Sequence, residues 1–202
     1  MDTFDALAAR RSCRSFANVP IQVDVLDRVL AASLRAPSAG NAWALQLVVL
    51  DTSELTARYW DTTLAVGPAR DRFPWPGLLA APVLVIPSVD ASAYPERYAG
   101  ADKARTGLGD GLDAWPVPYW WVDAGAAVMA VLTAAASVGL GSLLFGQFGH
   151  EPDVTRAFGL DAQRRSVGTI ALGWPSDEPT RRSGSARRGR PALADIVIRP
   201  EL

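Results

Sequence analysis

The stretch "AGAAVMAVLTAAASVGLGSLLFG", residues 124–146, places a long alanine-rich run directly before a short apolar run. Alanine and leucine favour helix, and a glycine just beyond such a run commonly ends it. We therefore expect a helix over 119–138 that closes at Gly139, followed by a strand over 142–145. The many alanines and the two hydroxyl side chains indicate a helix buried in a protein core rather than a membrane span.

The order of a helix, then a glycine, then a strand also argues against a dinucleotide-binding domain. "GLGSLLFG", residues 139–146, has glycines like those of a nucleotide loop, but dinucleotide-binding loops follow a strand and open a helix. "GLGDG", residues 107–111, is not followed by the lysine of a phosphate-binding loop. The sequence thus argues against a Rossmann domain and against a P-loop enzyme.

The remaining periodicity predicts one domain over 1–202 in which helices and strands alternate irregularly. This pattern favours an α+β fold with one mixed or mainly antiparallel sheet flanked by helices. Segments 67–77 and 88–118 are rich in glycine and proline and are expected to be irregular. The apolar "ADIVI", residues 194–198, is expected to form an edge strand or to contact a partner. Further helices are expected at 4–8, 24–34, 54–66 and 152–159, with Thr3 and Ser53 as caps, and strands at 45–50, 83–87 and 167–174.

Composition narrows the class of protein. Hydrophobic residues make up 49% of the 202, enough for a core, and 20 basic against 21 acidic residues give a net charge of −1. A balanced charge argues against a nucleic-acid-binding protein. A single cysteine cannot form an internal disulfide, and the N-terminal residues lack a signal-peptide pattern, so we expect a cytoplasmic protein. With one histidine as well, a zinc site is not expected.

The basic residues are nevertheless clustered near the two ends of the chain. Clustering of this kind in a balanced protein indicates a localised anionic ligand, although solvated surface charge is the alternative for any single arginine. The clusters are Arg10, Arg11 and Arg14 near one end, and Arg181, Arg182, Arg187, Arg188 and Arg190 near the other.

Several patches, read together, resemble the FMN-dependent nitroreductase family. "RRSCRSF", residues 10–16, is similar to the family's Arg-Arg-Ser-x-Arg signature, and "VLDRVLAASLRAPSAGN", residues 25–41, to its next helix and turn. "GLGSLLFGQF" (139–148), "VGTIALGWPSDEP" (167–179) and "RRGRP" (187–191) follow in the family's order and spacing. The resemblance covers most of the chain and is weak from about residue 52 to 119.

The resemblance implies a nitroreductase-like fold in a domain-swapped homodimer, with residues 176–202 as an arm that wraps the partner. It implies bound FMN, whose phosphate suits the paired donors of guanidinium groups. By position, Arg14 would lie near the pyrimidine edge of the flavin, where a cation favours the reduced ring. The residues expected at the phosphate and ribityl chain are Arg10, Arg11, Ser12, Arg188 and Arg190.

The resemblance places two more segments at the flavin ring. The turn residues Pro37, Ser38 and Asn41 would approach it from the second subunit, and Leu144, Phe145, Gly146 and Gln147 would lie along it. A helix-ending loop and a buried strand end are the structural alternatives. Residues 41–45 depart from the family's Asn-x-Gln-Pro-Trp, and Arg70, Arg72 and Trp75 are candidates for a further contact. Cys13 is interpreted as a small packing residue.

The resemblance also implies the chemistry of the family. NAD(P)H would reduce a nitroaromatic, a quinone or a similar flat small-molecule acceptor, with ping-pong hydride transfer through flavin N5. Trp115, Trp120 and Trp121 form a possible lid over the acceptor, or else fill the core or a subunit interface. Two alternatives remain: an FMN oxidase or dehydrogenase of a small metabolite or peptide, and an FMN-binding storage or sensor protein without turnover. No nucleic acid or membrane is expected as a partner.

Overall fold

The computed structural model describes residues 1–178 and 183–200, so Arg181 and Arg182 lie outside the described residues. Its centre is one sheet with the strand order β1-β2-β5-β3, and β4 pairs with β2. Every pairing between these strands is antiparallel, which confirms the α+β class. The strands are β1 (Leu45–Leu50), β2 (Val83–Val89), β3 (Gly141–Phe145), β4 (Arg165–Ser166) and β5 (Thr169–Gly173).

Helices flank this sheet, and the longest one forms the core with it. Val131 and Ala135 of α6 are completely buried in a cluster with Val85 of β2 and Leu172 of β5. The α-helices of the described residues are α1 (Thr3–Ala9), α2 (Val23–Ala31), α3 (Ser53–Thr63), α4 (Pro68–Asp71), α5 (Ala93–Tyr98), α6 (Tyr119–Ser137) and α7 (Glu151–Ala157).

Helix α6 ends as its sequence predicts. Gly139 adopts a φ of 84°, and the Leu140 amide donates to the Ala135 carbonyl at 2.9 Å, which closes the helix end. Within the described residues, α6 alone is long and apolar enough to cross a membrane by length and composition. Here it packs against β2, β3, α1 and α2, so its apolar residues serve the core of this fold.

The structure corrects several local expectations. Asp2 rather than Thr3 caps α1, and Thr52 rather than Ser53 caps α3, because each accepts from the amide three residues ahead. The segment 67–77, expected to be irregular, contains α4, and 88–118 contains α5 and three single-turn 3-10 helices. Pro68 begins α4, at a position where no amide donor is needed.

The expected edge strand over 194–198 is wrong. Leu193–Asp195 forms a 3-10 helix, and the chain from 196 to 200 has no strand. The side chains of Ile196 and Ile198 are exposed. Apolar composition alone predicted a strand, but strand pairing needs a free sheet edge that this segment does not reach.

Residues 12–17 run beside β3 and reach the residues that follow its neighbour β5. Ser12 pairs with Ser142 of β3, and the Cys13 amide donates to the Ser142 carbonyl at 2.9 Å. Phe16 bridges Pro175 and donates to the Gly77 carbonyl at 3.1 Å. These backbone bonds place Arg14 next to the end of β3.

Two glycines permit this close approach. A Cβ on Gly141 would lie 2.7 Å from the Cys13 sulfur, and a Cβ on Gly77 would lie 2.9 Å from the Cα of Ser15. Cys13 is half-buried and donates to the Ser15 carbonyl, and burial raises the pKa of its thiol. A raised pKa keeps the thiol protonated, in agreement with its interpretation as a packing residue.

We expect Gly141→Ala to lower the free energy of unfolding by about 1–3 kcal/mol, because the added methyl group must displace Cys13. Gly125→Ala is the matched control, since a Cβ there meets no atom within 4 Å and alanine favours the helix. Urea denaturation of both variants measures the difference. Equal effects of the two substitutions would contradict the close packing at Gly141.

Candidate active site

Most of the cleft beside the end of β3 is formed by aromatic and aliphatic side chains. Its volume is about 370 Å³, within the range of small-molecule sites. Helix α3 forms one side, residues 73–78 another, and the strand end 143–148 the third, and Arg14 also lines the cleft. The aromatic lining consists of Tyr59, Trp60, Phe73, Trp75, Phe145 and Phe148.

The strand end brings four predicted site residues to this cleft: Leu144, Phe145, Gly146 and Gln147. Phe145 stacks on Trp60 with 5.6 Å between ring centroids and 10° between planes. Phe148 is 89% exposed, has a φ of 49°, and its ring lies against Gly146. A positive φ in a bulky residue is strained, and such strain is concentrated at functional sites.

A buried polar network lies beneath the strand end. The hydroxyl groups of Tyr59 and Thr169 are 2.7 Å apart, and the Gln147 side-chain amide donates to Thr169 Oγ1 at 3.1 Å. Burial raises the pKa of Tyr59 to about 12, against smaller opposing effects of the hydrogen bonds. The network fixes Gln147, which is 5% exposed.

Two polar atoms beside the cleft are buried and have no hydrogen-bond partner among residues 1–178 and 183–200. They are the indole nitrogen of Trp60, a donor, and the Oε1 atom of Gln147, an acceptor. Unsatisfied buried polar atoms are rare in folded proteins and commonly mark places where a ligand or water binds. Their occurrence here distinguishes this cleft chemically from an ordinary apolar groove.

Arg14 supplies positive charge at the cleft. Its guanidinium carbon lies 5.2 Å from the centroid of the Trp75 ring, and its NH1 group donates to the Ser12 carbonyl at 3.3 Å. Of the three candidates in segment 67–77, Trp75 lines this cleft. Arg72 is exposed, and Arg70 donates to the Leu64 carbonyl at 2.6 Å and pairs with Asp61 at 2.8 Å.

Arg70 instead lines a second cleft of about 500 Å³ between α2, α3 and residues 79–83. Trp60 contributes to both clefts. The second cleft is larger, but neither the N-terminal arginine cluster nor the strip 144–147 lines it. We therefore place the candidate site at the cleft beside β3.

The other predicted phosphate contacts are spread over the surface of the single chain. Arg10 is half-buried and Ser12 is exposed. The guanidinium of Arg11 donates to the Ala8 and Arg10 carbonyls at the end of α1. Arg188 and Arg190 are exposed at and after the 3-10 helix Gly184–Arg188, and within the described residues no hydrogen bond joins them to the N-terminal cluster.

The predicted turn Pro37, Ser38 and Asn41 lies away from the cleft and is held by residues that sequence reasoning missed. The Asp123 carboxylate accepts from the Ala39 amide and from the Tyr94 hydroxyl, each at 2.7 Å. Arg97 donates to the Gly40 carbonyl at 2.8 Å. Within the turn, Asn41 and Trp43 have φ values of 60° and 50°, so the turn is strained as well as fixed.

The three tryptophans of the possible lid do not line the cleft in this chain. Trp115 is buried with Tyr94, donates to the Leu108 carbonyl at 3.0 Å, and packs near Trp120. Trp121 is partly exposed on α6. Within one chain, Trp115 and Trp120 therefore serve as core residues, and a lid made from a second chain stays a prediction.

Sequence reasoning named Trp75 and Phe145 but missed the other aromatic walls of the cleft, Tyr59, Trp60 and Phe73. Tyr59 and Trp60 are adjacent in α3, and Phe73 and Trp75 are two residues apart. The aromatic content of these segments was visible, but nothing in their spacing indicated that they face one strand end. Phe148 and His150, which lie just beyond the predicted strip, also line the cleft.

The fold is α+β, and the site is an aromatic cleft, lined also by Arg14, of a size that suits a small molecule. The Nitroreductase family model matches residues 7–174. The chain therefore belongs to the nitroreductase family.

The relatives agree at the level of the family. A Methanothermobacter thermautotrophicus protein, provisionally named NADH dehydrogenase/NAD(P)H nitroreductase, is 24% identical over 182 residues, covering 89% of this chain and 80% of that protein. The FMN reductase [NAD(P)H] of Bacillus subtilis is 24% identical over 90% of this chain and 69% of its own length. The structure of B. megaterium NfrA2 superposes with a TM-score of 0.72 at 19% identity, covering 100% of this chain and 76% of that chain.

The raised pKa of Tyr59 predicts a pH dependence of stability. The folded state holds the phenol proton more tightly than the unfolded state, so this stabilisation is complete below pH 10 and is lost between pH 10 and about 12. Over this range, wild type should lose on the order of 2 kcal/mol more than Tyr59→Phe, measured by urea denaturation. Parallel losses in the two proteins would show that Tyr59 ionises as easily when folded as when unfolded.

Proposed function

We propose that this protein is an FMN-dependent reductase that takes electrons from NADH or NADPH and delivers them to a flat aromatic acceptor. Membership of the nitroreductase family and relatives named for NAD(P)H and FMN support the cofactor and the reductant. The observation that carries the acceptor class is the aromatic lining of the cleft between α3 and β3. Aromatic walls favour flat, conjugated ligands through stacking.

The residues at the cleft fit a flavin ring. Its walls are apolar rings, its strand end presents the backbone of Gly146, and Arg14 supplies a cation. The unpartnered Trp60 donor and Gln147 acceptor match a ligand edge that carries both carbonyl and N–H groups, as the flavin pyrimidine does. Bound FMN supplies the hydride chemistry, accepting from the nicotinamide and donating to the acceptor.

The side chains of this protein then bind and orient the cofactor and exclude water from it. Arg14 holds positive charge where the pyrimidine oxygens would lie, which favours the more negatively charged reduced ring. Residues 144–147 support the ring from the strand end, and the Tyr59–Thr169 pair keeps Gln147 in one orientation. The phosphate would be held by the arginines and serine of the N-terminal cluster and by Arg188 and Arg190.

A homodimer completes this site in the proposal. In a single chain the turn 37–41 lies away from the cleft and is held in a strained conformation, because the Ala39 amide donates to Asp123 and Arg97 donates to the Gly40 carbonyl. The Tyr94 hydroxyl donates to the same Asp123 carboxylate and fixes it in place. A rigid, strained turn of this kind suits a contact with the cleft of a second subunit. The exposed apolar side chains of Leu193, Ile196 and Ile198 suit an arm that packs on that partner.

An anaerobic absorbance titration of the FMN-loaded protein with NADPH, repeated with NADH, tests the reductase proposal. We expect rapid bleaching of the oxidised flavin band and recovery of the band when a quinone or nitroaromatic is added. A flavin that binds but stays oxidised with both nicotinamides would assign the protein to the oxidases or to the non-catalytic FMN carriers. A protein that does not bind FMN would refute the proposal altogether.

The position of Arg14 predicts the effect of its removal. Arg14→Ala should weaken FMN binding about tenfold or more, because a hydrogen bond to a charged group contributes about 1.5–3 kcal/mol. Arg156→Ala is the matched control, since its side chain is 77% exposed and pairs with Asp153 on the surface, outside the cleft. Fluorescence titration with FMN measures both affinities. The same affinity in both variants would remove Arg14 from the site.

A further inference from the structure

Arg14 contacts one aromatic residue, which in turn contacts a second aromatic residue of the same short segment. Trp75 lies beneath the guanidinium group, with 5.2 Å from the guanidinium carbon to the ring centroid. Phe73 meets the Trp75 ring edge-to-face, with 5.9 Å between centroids and 82° between planes. Phe73, Trp75 and Arg14 therefore form a continuous contact along one side of the cleft.

We infer that Trp75 is a positioning residue, which holds the Arg14 guanidinium at the flavin edge and thereby raises the reduction potential of the bound flavin. The inference rests on the proposed function, because it assumes that FMN occupies the cleft. A planar guanidinium stacks favourably on an indole face, and tryptophan is the best of the aromatic partners for a cation.

Arg14 needs such support. Its side-chain hydrogen bond to the Ser12 carbonyl is 3.3 Å long, beyond the usual range for N–H donors. A long arginine side chain held by one weak bond keeps much of its rotamer freedom, and ordering it on ligand binding costs free energy. Stacking on Trp75 removes part of that freedom before the ligand arrives.

The effect on the flavin follows from charge. Hydride transfer breaks the C–H bond of the nicotinamide and adds two electrons and one proton to the flavin, so the ring gains one negative charge while the nicotinamide becomes positive. A fixed cation at the ring edge therefore stabilises the reduced flavin more than the oxidised one. Without Trp75 the guanidinium moves into water, where its interaction with the ring is weaker.

The test compares the midpoint potential and the FMN affinity of wild type, Trp75→Leu, Trp75→Phe and Phe158→Leu. Trp75→Leu should weaken binding of the reduced flavin about tenfold more than that of the oxidised flavin, which lowers the potential by about 30 mV. Trp75→Phe keeps a ring face and should shift the potential by less. Phe158→Leu removes the comparable Arg58–Phe158 contact, 5.5 Å long and outside the cleft, and should leave the potential unchanged.

A double-variant cycle separates positioning from direct contact with the ring. In an Arg14→Gln background, Trp75→Leu should cause no further change in potential, because the cation that Trp75 positions is already gone. Additive shifts would show that Trp75 acts on the flavin directly and would overturn the inference. A Trp75→Leu potential equal to that of wild type would overturn it as well.

Three further outcomes are decisive, and the last two separate the inference from the proposed function. If Trp75→Leu fails to fold, as judged by circular dichroism, the test uses Trp75→Tyr and Trp75→Phe instead. The midpoint potential should then fall in the order wild type, Trp75→Tyr, Trp75→Phe, and the absence of that order refutes the inference. If wild type itself does not bind FMN, the proposed function fails and the inference fails with it. If wild type binds FMN and is reduced while the variants show no shift, only the inference fails.

Discussion

The site depends on the backbone hydrogen bonds that hold residues 12–17 against the sheet. The bond from Cys13 to Ser142 and the bridge from Phe16 to Pro175 join the N-terminal segment to elements near the other end of the chain. The fit is close, because Gly141 and Gly77 leave no space for a side chain where Cys13 and Ser15 pass. Arg14 lies between these anchored residues, so backbone bonding places its main chain, and its guanidinium lies over the Trp75 ring.

Around that charge the protein builds a largely apolar cleft. Rings from α3, from residues 73–75 and from the strand end line the cleft together with Arg14, and they lower the local dielectric constant there. A cation interacts more strongly with a ligand in such surroundings than it does in water. The buried Tyr59–Thr169–Gln147 network adds rigidity beneath the strand end. Without it, the Gln147 side-chain amide could rotate and change the shape of the site.

Within a single chain, other residues that were predicted for the site do not reach the cleft. The turn 37–41 is anchored to α6 and α5 through Asp123 and Arg97, and the late arginines Arg188 and Arg190 are exposed near the C-terminus. Rigid elements held away from the cleft of their own subunit are consistent with a site that two subunits share. Trp115 and Trp120 have a structural role within one subunit, because they pack with Tyr94 around the base of the same turn.

The sequence alone determined the helix α6, the strands at the apolar runs, the α+β class and the family, because these depend on local periodicity and on motif order, whereas it left open whether the sheet is mixed or antiparallel. It also identified Arg14 and residues 144–147, which the fold brings to one cleft. Only the tertiary structure decided that Tyr59, Trp60 and Phe73 line that cleft, that Trp75 alone of its three candidates does so, that Asp123 anchors the turn, and that residues 194–198 are not a strand. Such contacts join residues distant in sequence, and no local pattern encodes which ring will face which strand end.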